Sequence, residues 1–281
     1  MSTYIEPAAT VSEAWLRTVE VVVRGGGRLV NVLTTITEPG SEDAHVRAVI
    51  DQALDGQERR AQSVETVAGT IFPAELYRDV GYPWRPGLSP DEAEALDDAA
   101  TALFDSYELM LPLLLTANGN KGGTYFSRMV TWPGKEPGGV NQLADRIRYL
   151  RGHRTRGVTA NNAADIAIGG EADIPDQGLQ VYAATDRRQR AFPCLVHIDL
   201  TLLAGRLSML AVYRHQFLLT KAYGNLIGLS DLLKFLAQQT GFDIGELAVQ
   251  ATLADDERGS FSGRAGVEAI IAAARAGQAV A

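Results

Sequence analysis

The chain has 281 residues, 46% of them hydrophobic, with a formal net charge of -8. That is enough to bury a sizeable core, read here as one domain over 1–281 because no Pro/Ser/Gly-rich linker divides it. The acidic balance argues against a nucleic-acid surface, and there is neither an apolar run of about 18 residues to span a membrane nor a basic-then-apolar leader, so a cytoplasmic protein is expected.

In chain order, residues 11–24 place Trp15, Leu16, Val19, Val22 and Val23 at helical spacing, with Ser12 as the expected cap and Gly25-Gly26-Gly27 as the stop. Arg28 to Ile36 alternates with β-branched residues and reads as a strand. A helix is expected over 90–116 after Ser89-Pro90, and a shorter one over 141–150. From 151 to 177 the sequence is polar, Gly-rich and weakly periodic, and reads as a surface excursion. Strand character returns at 180–184. Residues 195–203 and 206–213 flank Ala204-Gly205 as a hairpin. Asn225 to Thr240 carries Leu226, Leu229, Leu232, Leu233 and Leu236 on one helical face; a strand over 244–253 and an Ala-rich helix over 264–277 close the chain. The sum is an α+β domain, a mixed sheet backed by a long central helix.

The sequence holds one cysteine and four scattered histidines, so neither an internal disulfide nor a zinc site is expected. Cys194 follows Pro193 where a loop enters a strand, a place that suits a small buried hydrophobe or a nucleophile. Downstream stand Gly205-Arg206-Leu207-Ser208, then Arg214 twenty positions after Cys194, Asn225 eleven after Arg214, and Gly245-Glu246-Leu247 beyond the helix. This joint spacing resembles the thymidylate synthase and pyrimidine nucleotide hydroxymethylase family, most clearly from Pro193 to Leu247.

The resemblance implies a thymidylate synthase-like fold and a homodimer. It also implies a pyrimidine nucleoside monophosphate as substrate and 5,10-methylenetetrahydrofolate as the one-carbon source. Cys194 would add to C6 of the ring, which makes C5 a carbanion. Arg214 would bind the phosphate as a bidentate donor and favour the thiolate; its plain alternative is a solvated strand-end arginine. Asn225 would read the base edge, leaning towards uracil with cytosine open, or cap its helix.

Further positions follow from the same resemblance. Glu65, in Ser63-Val64-Glu65-Thr66-Val67, matches the catalytic glutamate that organises water and proton transfer. Tyr125 matches a pocket tyrosine in a proton relay. Arg28 matches a phosphate-gripping arginine, and its Gly25-Gly26-Gly27 run offers backbone N–H groups to an anion. Arg154 and Arg156 are the nearest match to a pair that reaches across the dimer, although they lie further from Cys194 than the family pattern has them. Arg187, Arg188 and Arg190 stand closer.

The chain departs from the family at Leu195 (usually His), His215 (Ser) and Phe217 (a pterin-holding Asp). Asp255 and Glu257 stand where a His and a Tyr hold the sugar, and as carboxylates they are candidates for a ribose. These changes tilt the expectation from methylation towards hydroxymethylation, as in relatives that modify CMP or dCMP in antibiotic pathways or phages. Folate-independent C5 chemistry and a non-catalytic nucleotide-binding relative stay open.

Overall fold

A computed structural model describes residues 2–57, 61–117, 120–132, 138–156, 166–167 and 193–277. In chain order the elements are β1 (Thr3–Tyr4), α1 (Val11–Arg24), β2 (Arg28–Ile36), α2 (Ala44–Asp55), α3 (Val64–Gly69), α4 (Pro90–Leu114), α5 (Tyr125–Val130), α6 (Gln142–Arg156), β3 (Ile166–Ala167), β4 (Leu195–Leu203), β5 (Arg206–Tyr213), β6 (Gln216–Phe217), α7 (Tyr223–Thr240), β7 (Asp243–Asp255) and α8 (Gly263–Ala276). A wide π-type turn over Leu218–Ala222 joins β6 to α7. The strands hydrogen-bond in the order β1-β2-β7-β5-β4-β3, with β6 also on β7. β1–β2 and β6–β7 are parallel while β2–β7 and β3–β4 are antiparallel, so the sheet is mixed and the class is α+β. No helix among the described residues is long and apolar enough to cross a membrane.

The residues fall into two compact units. The first is Met1–Gly69, Ala211–Ser230 and Glu246–Ala281; the second is Thr70–Leu210 and Asp231–Gly245. In the first, α8 packs on α1 and α2, and α1 lies on β2. α1 buries Trp15, Leu16, Val19, Val22 and Val23, the apolar stripe its periodicity requires. Its cap is Thr10, whose hydroxyl accepts from Glu13 N–H, and not Ser12, which is buried inside the helix and bonds the Tyr223 hydroxyl at 2.8 Å.

In the second unit α4 starts at a capping box: Ser89 Oγ accepts from Glu92 N–H, and the Glu92 carboxylate accepts from Ser89 N–H. Ala204 and Gly205 both have positive φ (50° and 81°), as a two-residue hairpin between β4 and β5 requires. α6 runs on to Arg156, so residues 151–156 are helical where an excursion is expected, and most of 157–177 lies outside the described residues. Ile166–Ala167 pairs with β4, and the strand expected at 180–184 lies outside the described residues. α7 keeps Leu229, Leu232, Leu233 and Leu236 fully buried.

Candidate functional site

In the second unit, two of the expected residues meet. Thr124 caps α5, its hydroxyl accepting from Ser127 N–H at 3.0 Å and bonded to the Tyr107 hydroxyl, which fixes Tyr125 as the first helical residue. The Tyr125 hydroxyl accepts from the backbone N–H of Cys194 at 3.2 Å and of Leu195 at 3.4 Å. It is the acceptor in both bonds, so its own proton stays available to a third group. Burial, and after it the neighbouring Cys194, pushes the phenol up to about 12. Tyr125 is therefore a neutral donor throughout the ordinary pH range, tied to the segment that carries a half-buried thiol. Leu195, where the family has His, is fully buried. Sequence reasoning passes over His197, three residues after Cys194: its Nδ1 is buried without a hydrogen-bond partner among the described residues, and burial lowers its pKa against the opposing effect of Asp199.

In the first unit, β2–β7 register sets Arg28 opposite Asp255, and Arg28 Nε–H donates to Asp255 Oδ2 at 2.7 Å. The glycine run does not form the expected anion cradle. Gly25, Gly26 and Gly27 N–H all donate back to α1 carbonyls, of Val21, Val23 and Val22, because three amides at a helix end are satisfied most directly by that helix. Asp255 is nearly buried: its Oδ1 accepts from Glu257 N–H at 2.9 Å, and its Oδ2 lies 3.7 Å from His215 Nε2. Phe217 sits opposite Asp255 in the β6–β7 register and packs against the His215 ring, the centroids 4.1 Å apart and the planes tilted by 40°.

Glu257 accepts from Leu219 N–H (2.8 Å), Thr220 N–H (2.7 Å) and the Thr220 hydroxyl (2.6 Å). Both candidate sugar carboxylates thus carry internal bonds. Arg214 is half-buried and is the first residue after β5. Asn225 is buried as the third residue of α7, so it is not a cap; the preceding Gly224 packs so closely on Val67 that an added Cβ would come to 2.7 Å. Glu65 is exposed on α3 and pairs with Arg47, which also holds Asp51 at 2.9 Å.

The remaining arginines are placed as follows. Arg154 lies on α6 in the second unit, its guanidinium over the Phe242 ring at 5.0 Å, and Arg156 ends that helix. Arg187, Arg188 and Arg190 lie outside the described residues. Two clefts of the second unit, of about 600 and 510 Å³, are lined by Phe72, Tyr77 and Phe235 and by Phe104, Arg148 and Arg151 among others; neither includes Cys194. Among the described residues there is no group of three or more His, Cys, Asp or Glu that could hold a metal ion. No protein-family model matches the chain, and no curated protein matches it.

Proposed function

We propose that this protein modifies C5 of a pyrimidine nucleoside monophosphate through a covalent Cys194 adduct, as a thymidylate synthase-like homodimer. The observation that carries the proposal is the Tyr125 hydroxyl accepting from the amides of Cys194 and Leu195, which sets a neutral proton donor beside the backbone of the cysteine that the family-like spacing singles out. In this reading the thiolate forms a bond to C6, and the C5=C6 electron pair moves to C5, delocalised onto O4. C5 then bonds to a one-carbon electrophile or to a solvent proton, a general base takes the original C5 proton, and the electron pair of that C–H bond re-forms C5=C6 as the thiolate leaves. Tyr125, neutral up to about pH 12, donates to the ring during this sequence. Arg214 takes the phosphate and Asn225 the base edge.

5,10-Methylenetetrahydrofolate would supply the one-carbon unit, and hydroxymethylation is favoured over methylation. The residue at the pterin-holding position does not suit that role, because Phe217 packs against the His215 ring and offers no acceptor for the pterin donors. The same observation favours, as a second reading, C5 chemistry without folate.

The test is tritium release from 5-tritiated UMP, dUMP, CMP and dCMP, with and without methylenetetrahydrofolate. Release that requires the folate supports one-carbon transfer, and release without it supports the second reading. No release from any of the four, unaffected by Cys194→Ser, would leave a non-catalytic relative.

A further inference from the structure

We propose that Glu257 is a positioning residue for base recognition: its carboxylate fixes the turn that delivers Asn225. This rests on Asn225 as the residue that reads the base. The chain leaves β6 at Phe217, makes the wide turn Leu218–Ala222 and enters α7 at Tyr223, two residues before Asn225. Turns of this type are rare and recur at functional sites.

The turn is gripped at both ends. The Trp15 indole N–H donates to the Leu218 carbonyl at 2.7 Å, and the Tyr223 hydroxyl bonds Ser12 at 2.8 Å and Glu42 at 3.1 Å. Its middle is held by Glu257, through two backbone amides on one carboxylate oxygen and the Thr220 hydroxyl on the other.

Glu257 reaches this position in a left-handed conformation, φ 53°, which a non-glycine residue adopts rarely and keeps where its surroundings impose it. What imposes it is Asp255, whose Oδ1 accepts the Glu257 N–H at 2.9 Å. A strained backbone and a partly buried carboxylate are a costly way to hold a turn that already buries Leu218, Leu219 and Ala222. They suit a turn whose position sets the aim of a buried carboxamide, because hydrogen-bond discrimination falls steeply with geometry.

The experiment is calorimetric titration of the full chain with the uracil and the cytosine nucleoside monophosphate, each in its ribo and its deoxyribo form, for wild type, Glu257→Ala, Glu257→Gln and Thr220→Val. Wild type is expected to prefer one base by about tenfold or more. Glu257→Ala should bring that ratio within about threefold of unity, and Glu257→Gln and Thr220→Val, which each keep part of the grip, should fall between. If Glu257→Ala does not fold, Thr220→Val decides alone: a ratio moved by about threefold supports the proposal and an unmoved ratio overturns it. A Glu257→Ala protein that melts lower but keeps the wild-type ratio would overturn it too, showing a merely structural anchor with the reading of Asn225 intact. Wild type that binds none of these nucleotides, or both bases alike with Asn225→Asp changing nothing, removes Asn225 as the base reader and the inference with it.

Discussion

The Tyr125 hydroxyl lies 3.2 Å from the backbone nitrogen of Cys194 and takes that N–H, together with the N–H of Leu195, as an acceptor. The phenol costs more to ionise all the same, because the anion would be buried and would face Cys194, and the two amide bonds, which favour the anion, offset this only in part. A spectrophotometric titration of wild type minus Tyr125→Phe should show one phenol ionising near pH 12. A phenol ionising near 10, the ordinary value, would contradict it. Native Tyr125 keeps its proton where the unfolded chain has lost it, so this group's stabilisation is present below about pH 10 and is lost as pH rises towards 12.

Removing the Tyr125 hydroxyl leaves two amide donors without their acceptor. Tyr125→Phe should therefore cost about 1–3 kcal/mol in urea unfolding. It should also slow C5 tritium release by at least about tenfold. A variant as stable and as active as wild type would remove Tyr125 from the site.

Glu257 gives a pH signature of its own. Burial first, with Asp255 adding to it, holds its pKa above the ordinary carboxylate value. The native state therefore binds more protons than the unfolded state between the ordinary and the raised value. The contribution of Glu257 to stability is greatest below the ordinary value and falls as pH rises through that window. The stability lost in Glu257→Gln should accordingly be larger at about pH 4 than at about pH 7. A loss that grows with pH would contradict this.

Gly241 ends α7 at φ 75°, and an added Cβ would lie 2.0 Å from the Trp84 carbonyl oxygen. Both the conformation and the close approach exclude a side chain. Gly241→Ala should cost about 2 kcal/mol or more, read as a drop in the urea midpoint with an unchanged slope. Leu229→Ala, in the fully buried part of α7, should cost about 3 kcal/mol for the cavity it leaves.

The long elements were legible because burial and periodicity agree in them. α1, β5 and α7 each carry an apolar pattern that matches what the structure buries, whereas β2 buries Val32, Thr34 and Ile36 and leaves Val30 exposed. α2 is hard to read because its buried face is only Val46, Ile50 and Leu54, three apolar positions among polar ones. α6 buries Leu143, Ile147 and Leu150 but has no large apolar residue after Leu150, which is why its last turn reads as loop. β1 and β6 are two residues long and exist only as partners of β2 and β7.

The candidate site divides in the same way. The position of Cys194 at the entry to β4 could be read from its neighbours, whereas the contact with Tyr125 joins residues 69 apart in sequence. Asp255 is a sugar-ligand candidate by its place in the family-like spacing, whereas its bond to Arg28 depends on a register between residues 227 apart. No local pattern encodes that pairing.

The most direct measurement is folate-dependent and folate-free tritium release from the four 5-tritiated pyrimidine monophosphates, with wild type and Cys194→Ser side by side. Wild type should release tritium from at least one nucleotide and Cys194→Ser none above background, with the variant folded and within about 1 kcal/mol of wild type. Release that survives in Cys194→Ser, or no release by wild type from any of the four, would contradict a Cys194 adduct as the route to C5.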